Sequence, residues 1–264
     1  MRLRITHHTE YRYDAPLHYA LQRLRLIPVD SKNQAVGNWD LQIVGAREEV
    51  RFRDQFANET VLISAEGEPH AISIEASGEV ETFDTAGVVG DHRGFAPLWL
   101  FRRSTPLTTA GAGIRKLAAE MKEKDGLERL HGLMATVAER VTYMTGTTDA
   151  ATEAEEALTR GSGVCQDHAH IFVSAARKAG FPARYVSGYL HMAGTDEQAA
   201  SHAWAEAHVD DLGWVGFDPA NGISPDERYV RVAVGLDYRD ASPISGIRQG
   251  TGEEQLAVRV TVEQ

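Results

Sequence analysis

The one cysteine of the chain, Cys165, ends the segment Gly161-Ser-Gly-Val-Cys and directly precedes an apolar run that predicts a helix. A thiol becomes a strong nucleophile only as the thiolate. Backbone N–H groups and the dipole at a helix N-terminus stabilise that anion, and the same N–H groups can hold an oxyanion. Gly161 and Gly163 permit a close backbone approach. The spacing therefore favours a nucleophilic cysteine, and a buried inert thiol is the alternative.

Two histidines compete as the base that deprotonates this thiol. His168 lies one helical turn beyond Cys165, and His202 lies on a later predicted strand. A catalytic base also needs a group that orients its ring from behind. Asp218 can orient His202, because it lies on the strand predicted to pair with that of His202. No carboxylate is expected to face His168. His202 is therefore the predicted base, with Asp218 as its partner.

The polar residues of the predicted helix receive structural interpretations. Asp167 is expected to cap the helix or to form a salt bridge near its start, and His168 is expected to be a buried or supporting histidine. His170 lies roughly 200° around the helix from His168, so the two rings cannot bind one metal ion.

The hairpin that carries His202 and Asp218 allows a test of register. From His202 onward, every second side chain lies on the same face of the strand. A four-residue loop that pairs Val209 with Trp214 would turn Asp218 to the opposite face. A catalytic pair therefore requires a loop of three or five residues, or a bulge. Gly213 suits the left-handed conformation that such a hairpin needs.

The remaining elements predict an α+β fold in two parts. Short alternating segments indicate an N-terminal antiparallel β-sandwich-like domain over residues 1–90. Its predicted strands are 3–13, 19–29, 38–45, 49–56, 60–67 and 71–83. A Gly-rich stretch at 84–97 is expected to be a linker or loop.

The second part, residues 91–264, is predicted to be the catalytic domain. Helical periodicity covers 108–124, 125–143 and 152–160, and Asp125 and Glu128 have capping-box spacing. The helix that follows Cys165 is apolar almost all round, which is typical of a core helix. The predicted strands are 183–190, 201–209, 214–219, 229–235 and 255–264, of which the last can return to either part.

Composition and charge exclude several classes of protein. The chain has 264 residues, 27 Lys and Arg against 38 Asp and Glu, and a net charge of −11. This balance disfavours binding to nucleic acid or to an anionic membrane surface. A single cysteine excludes an internal disulfide, and no metal-binding or nucleotide-binding motif occurs. No metal or cofactor is therefore predicted. No apolar run resembles a signal or membrane-spanning segment, so a cytoplasmic location is expected.

Three segments carry a resemblance to a known family: GVCQDHAHIFVSAARKAGFPARYVSGYL, SHAWAEAHVDDLGWVGFDPANG and VRVAVGLDYRD. They resemble the transglutaminase-like superfamily, most of all its bacterial branch of transglutaminase-like cysteine proteases with an N-terminal β domain. The resemblance is densest over 160–240. It implies a papain-like fold, in which the helix that bears the cysteine packs on an antiparallel sheet.

The resemblance also implies functional residues. The Cys-His-Asp triad of the family falls on Cys165, His202 and Asp218. The family usually supplies a second oxyanion donor from an aromatic side chain upstream of the cysteine, and Tyr143 or Trp99 can serve.

Together these observations predict a cysteine-dependent acyl-transfer enzyme that hydrolyses a peptide or amide bond through a thioester. A protein cross-linking transglutaminase and a catalytically silent binding module on the same fold are the alternatives. The predicted partner is a peptide or protein substrate. The sequence specifies neither the substrate nor the oligomeric state.

Overall fold

The computed structural model describes residues 1–121 and 126–264, and the fold is built on antiparallel sheets. The first strands are β1 (Arg2–Tyr13), β2 (Tyr19–Ile27), β3 (Gln34–Val44), β4 (Ala46–Arg53), β5 (Glu59–Ala65), β6 (Ala71–Thr82) and β7 (Val88–Gly90). The later strands are β8 (Thr142–Tyr143), β9 (Ser162–Gly163), β10 (Ala183–Leu190), β11 (Glu197–Gln198), β12 (His202–Val209), β13 (Gly213–Phe217), β14 (Tyr229–Gly235), β15 (Ile244–Gln249) and β16 (Glu254–Glu263). The helices are α1 (Ala112–Glu120), α2 (Gly126–Arg140), α3 (Ala154–Arg160), α4 (Cys165–Lys178) and α5 (Tyr238–Ala241).

Two sheets form the N-terminal part, in the orders β11-β16-β1-β6-β3 and β15-β2-β5-β4. Buried residues of β6 alternate with more exposed ones, so one face of the strand is buried. That face packs against the other sheet. Ile72 and Ile74 of β6 lie in one buried cluster with Leu24 of β2 and Ile63 of β5. The predicted sandwich-like arrangement is therefore confirmed.

A third sheet, β14-β10-β12-β13-β7, supports the cysteine-bearing helix α4. Ala205 and Phe217, on two neighbouring strands of this sheet, share a buried cluster with Phe172 of α4. Leu130 and Val137 of α2 belong to the same cluster. The helix is thus enclosed between the sheet and other helices, which explains its apolar sequence and confirms the predicted α+β fold.

Side-chain amides of the N-terminal part cover the outer edge of β14. Asn58 donates to the carbonyl of Val234 at 2.7 Å and accepts from its N–H at 2.8 Å. Gln34 makes the same pair of bonds with the backbone of Arg231, each at 2.8 Å. The two amides satisfy backbone groups of an edge strand and tie the two parts of the chain together.

The C-terminal strands return to the N-terminal sheets. Strand β16 pairs with β1, with Glu263 opposite Arg4, and β15 pairs with β2. Strand β15 is absent from the sequence prediction, and so is β7, which lies in the stretch expected to be a linker and pairs with β13. The division at residue 90 stays a prediction.

The predicted helices occur close to the expected positions. Helix α3 ends at Gly161, which has a left-handed φ of +72°. The proposed capping residue of α2, Asp125, lies outside the described residues. Within 1–121 and 126–264, no helix has the length and apolar character that crossing a bilayer requires.

An ion-pair cluster lies on the same sheet face as His202. Glu206 is fully buried and accepts from Arg184 Nε at 2.6 Å, while Arg231 Nε lies 3.1 Å from its other oxygen. The Arg184 guanidinium also stacks on the Trp214 ring at 3.9 Å. Burial acts to raise the pKa of Glu206, but the two arginine charges outweigh it and the pKa is lowered. The carboxylate therefore stays ionised.

Candidate active site

Helix α4 begins at Cys165, and Asp167 closes its first turn. The Asp167 carboxylate accepts from the Val164 N–H at 2.7 Å and from the Thr148 hydroxyl at 2.6 Å. This confirms the predicted capping role. A Cβ on Gly163 would lie 2.5 Å from the same carboxylate, so only glycine permits this approach of the backbone to the helix start.

The required hairpin register is present. Val209 pairs with Gly213 and Ala205 with Phe217, which leaves a loop of three residues, 210–212. Gly213 has a φ of +77°, in the left-handed region. The predicted odd loop is thus confirmed. His202 and Asp218 lie on one face, and His202 Nε2 donates to Asp218 Oδ2 at 2.7 Å.

Asp218 is fully buried among hydrogen-bond donors. Its Oδ2 also accepts from Asn221 Nδ2 at 2.7 Å and from the Tyr229 hydroxyl at 2.8 Å, and its Oδ1 accepts from the Ala220 N–H at 3.0 Å. Burial acts to raise the pKa of Asp218, but its bonds and the His202 charge lower it. Asp218 is therefore held as a carboxylate that fixes the ring of His202.

Sequence reasoning missed Asn221 and Tyr229. The only local signal was the turn-forming segment Asp-Pro-Ala-Asn-Gly after β13, which places Asn221 three residues beyond Asp218. Tyr229 begins β14, two strands away from β12 in the sheet, so only the folded arrangement brings its hydroxyl to the carboxylate.

The His202 ring links the carboxylate to the thiol. Burial acts to lower its pKa, but the hydrogen bond to Asp218 and the electrostatic interactions with Asp218 and Cys165 raise the pKa of His202 to about 10. The ring is therefore an imidazolium at neutral pH. The hydrogen-bonded pair of His202 and Asp218 thus lies close enough to Cys165 for the thiol to influence the His202 ring.

Tyr143 flanks this network. Strand β8 pairs in parallel with β9, which places Tyr143 opposite Gly163, two residues before the cysteine. Burial raises the pKa of Tyr143, and the negative charges of Cys165 and Asp218 add to that rise. The other aromatic candidate, Trp99, lies on the 3-10 helix Leu98–Arg102 with 63% of its surface exposed. Tyr143 is itself 53% exposed, so its position beside Gly163 is what distinguishes it from Trp99, and the choice of the second oxyanion donor stays a prediction.

The two histidines of α4 have other partners. Each ring nitrogen of His168 lies 2.9 Å from a backbone carbonyl oxygen, that of Val164 or that of Val141. His170 Nε2 accepts from the Tyr238 N–H at 3.0 Å. Burial lowers the pKa of His170 to about 4, so its ring is neutral. Both rings tie α4 to neighbouring backbone, in agreement with their structural interpretation.

Family comparison agrees with this architecture. The transglutaminase-like superfamily matches residues 115–219, and the bacterial transglutaminase-like N-terminal region matches residues 3–81. The chain has a transglutaminase-like core at residues 115–219. Its transglutaminase-like core thus contains Cys165, His202 and Asp218, and its N-terminal region contains most of the first two sheets.

Several relatives of this transglutaminase-like chain share its length. An uncharacterized Mycobacterium leprae protein is 29% identical over 99% of this chain and 98% of its own length. An uncharacterized Mycobacterium tuberculosis protein is also 29% identical, over 99% of this chain and 92% of its own. A protein-glutamine gamma-glutamyltransferase of Pseudomonas aeruginosa is 34% identical over 98 residues, which are 33% of this chain and 15% of that enzyme.

A solved structure shares the whole transglutaminase-like fold. The crystal structure of a proposed cysteine protease from Cytophaga hutchinsonii superposes with a TM-score of 0.78 at 20% identity. The match covers 100% of this chain and 91% of the other. The fold, with its cysteine at a helix N-terminus, fits a cysteine-dependent acyl-transfer enzyme.

Proposed function

We propose that this protein hydrolyses an amide bond of a peptide or protein through a thioester on Cys165. The observation that carries the proposal is the network in which buried Asp218 holds His202 against the thiol. A purely structural cysteine does not require a histidine that is held in its charged form by a buried carboxylate, whereas a nucleophilic cysteine does. A catalytically silent binding module is therefore the weaker interpretation.

The reaction begins with the Cys165 thiolate, which attacks the amide carbonyl while the His202 imidazolium stands beside it. The oxyanion that forms is stabilised by the N–H groups at the start of α4 and by the Tyr143 hydroxyl. The C–N bond then breaks, the amine leaves with the proton of His202, and the acyl group remains on sulfur. Asp218 keeps the ring oriented and stabilises its positive charge.

Neutral His202 next removes a proton from water, which attacks the thioester and releases the acid and the thiol. A primary amine in place of water would give a new amide, as in a cross-linking enzyme. Water and an amine attack the same thioester, so the ratio of hydrolysis to transfer depends on which nucleophile enters the active site. Hydrolysis is proposed here, in the cytoplasm predicted from the sequence.

The test compares turnover of an amide panel by the wild-type protein and by Cys165→Ala and His202→Ala. His208→Ala is the matched control, because His208 lies on the same strand and face, six residues beyond His202. We expect each of the first two changes to lower turnover by on the order of 10³-fold or more, because the groups act as a unit. The control should retain turnover.

Full activity in Cys165→Ala refutes the proposed function. Added methylamine distinguishes the two chemistries, because transfer incorporates the amine into the product and hydrolysis does not. Unchanged thermal unfolding of Cys165→Ala shows that the loss of turnover is chemical, since a thiol and a methyl group differ little in volume.

A further inference from the structure

A cavity of about 170 Å³ opens between the N-terminal sheets and the catalytic part. One wall comes from β1, β15 and β16, through Tyr11, Ile244 and Leu256. The opposite wall comes from residues 199–201 and from Tyr238. The two parts of the chain thus build the cavity together, and we name it the junction pocket.

Residues of the pocket wall neighbour the reacting groups in sequence and in packing. Ser201 in its wall directly precedes His202. The backbone N–H of Tyr238 donates to His170 of α4, the helix that begins at Cys165. Tyr238 and Cys165 also pack against the same small buried cluster, which includes Tyr185 and Ala203. Packed side chains of one cluster therefore connect the pocket wall at Tyr238 with the thiol, which makes the pocket a candidate site for a neighbouring group of the substrate.

The walls of the junction pocket carry no formal charge. Of the described residues that line it, none is Asp, Glu, Lys or Arg. Its one histidine, His7, is neutral because burial lowers its pKa to about 4. The ring nitrogens of His7 are already engaged by the hydroxyls of Tyr189, at 2.9 Å, and Thr9, at 3.2 Å. The walls combine hydroxyl groups, such as those of Thr9 and Ser201, with apolar side chains, so they disfavour a charged ligand and can accommodate an uncharged side chain.

The volume limits what the pocket can hold. An apolar cavity of about 150 Å³ accommodates a benzene molecule. The junction pocket, at about 170 Å³, therefore matches a single side chain of leucine or phenylalanine size and is too small for a second one.

We propose that the junction pocket is a specificity subsite that receives one leucine-sized or phenylalanine-sized side chain of the acyl donor. The inference rests on the proposed function of Cys165. It assigns a role to the N-terminal part, whose strands supply one wall. Substrates with aspartate or lysine at the same position must bury a charge against neutral walls, so they bind more weakly.

The test measures alkylation of Cys165 by dipeptidyl chloromethyl ketones, in which each of the two side chains is in turn Ala, Leu, Phe, Asp or Lys. The thiolate sulfur displaces chloride and forms a thioether, which intact-mass spectrometry detects. Iodoacetamide, which has no side chain, gives the reference rate for the thiol. We expect leucine or phenylalanine at one of the two positions to react at least about tenfold faster than aspartate there.

Two substitutions change the pocket from opposite walls. Leu256→Glu places a carboxylate at a position that is 56% exposed, and Ala200→Leu adds bulk from the exposed loop that precedes His202. Each should reduce the ratio of the leucine-ketone rate to the iodoacetamide rate by about tenfold. Val44→Glu is the matched control, because Val44 lies in the same sheet as Leu256, is 67% exposed and is outside the pocket.

Equal rates across the panel overturn the subsite, and so does an unchanged ratio in both pocket variants. In either case a reactive Cys165 leaves the proposed function standing. A thiol that resists iodoacetamide and every ketone overturns the proposed function and, with it, the subsite. A reduced ratio in both pocket variants and an unchanged ratio in Val44→Glu support the subsite.

Discussion

Asp218→Asn removes one negative charge from the centre of the His202 network and nearly preserves the side-chain volume. Three donors now converge on Asp218 Oδ2, from His202, Asn221 and Tyr229, and Oδ1 accepts from the backbone. Both oxygens of Asp218 accept hydrogen bonds. In either orientation of an asparagine amide, its NH₂ group replaces one of these oxygens and faces donors to which it cannot bond. We therefore expect His202 to lose its orientation and part of the stabilisation of its charge.

The structure sets the size of this effect. The pKa of His202 is raised from 6.5 to about 10, and burial alone would lower it. Loss of an opposite charge at hydrogen-bonding distance removes about 1–3 pKa units, or about 1.4–4 kcal/mol of stabilisation of the imidazolium. Turnover should fall by on the order of 10⁴-fold, as expected when an orienting carboxylate is lost from a triad.

The assay follows the His202 ring directly, by NMR titration of its nitrogen atoms, and in parallel records the pH profile of kcat/KM. The alkaline limit of that profile reports the acid that protonates the leaving amine. Asp226→Asn is the control, because Asp226 carries the same charge, lies in the segment before β14 and pairs with Arg228 instead. A His202 titration that remains near pH 10 in Asp218→Asn would refute the electrostatic reasoning.

Three further predictions concern stability. The raised pKa of His202 contributes stability that is complete below pH 6.5 and is lost as pH rises through about 10, so urea denaturation should show a loss over this interval that shrinks in His202→Gln. Gly163→Ala should destabilise the protein by about 1–3 kcal/mol, because the new Cβ meets the carboxylate that caps α4. Gly126→Ala, whose Cβ has only an ordinary contact at 3.6 Å, should be neutral or stabilising in the same denaturation experiment. Glu206→Gln should cost about 3–5 kcal/mol, because it leaves two arginines without their buried carboxylate. Removal of the exposed pairs of Glu79 by Glu79→Gln should cost much less, because solvent screens those pairs, and similar losses for both glutamates would contradict this reasoning.

Local patterns allowed much of the fold to be predicted. Alternating segments located β1 to β6, and the apolar run after Cys165 located α4. Strand β7 escaped prediction because three residues are too few to show a period. Strand β15 has three polar residues and one glycine among its six residues, so it lacks the clear alternation of its neighbours.

The candidate site was predictable where its geometry depends on residues that lie close together in the sequence. The start of α4 and the hairpin between β12 and β13 follow from glycines and strand periodicity, so the positions of Cys165, His202 and Asp218 could be argued from the residues. The donors from Asn221 and Tyr229 could not, because hydrogen bonds between side chains leave no periodic trace in a sequence.

The amino-acid sequence by itself determined which residues begin α4, which faces of the strands are apolar, and which loop length the hairpin needs. These properties depend on backbone preferences and on side chains a few residues apart. The tertiary structure alone decided that β15 and β16 return to the N-terminal sheets and that the junction pocket forms beside His202. Such contacts join residues far apart in the chain, so they follow from packing of whole elements and not from any local pattern.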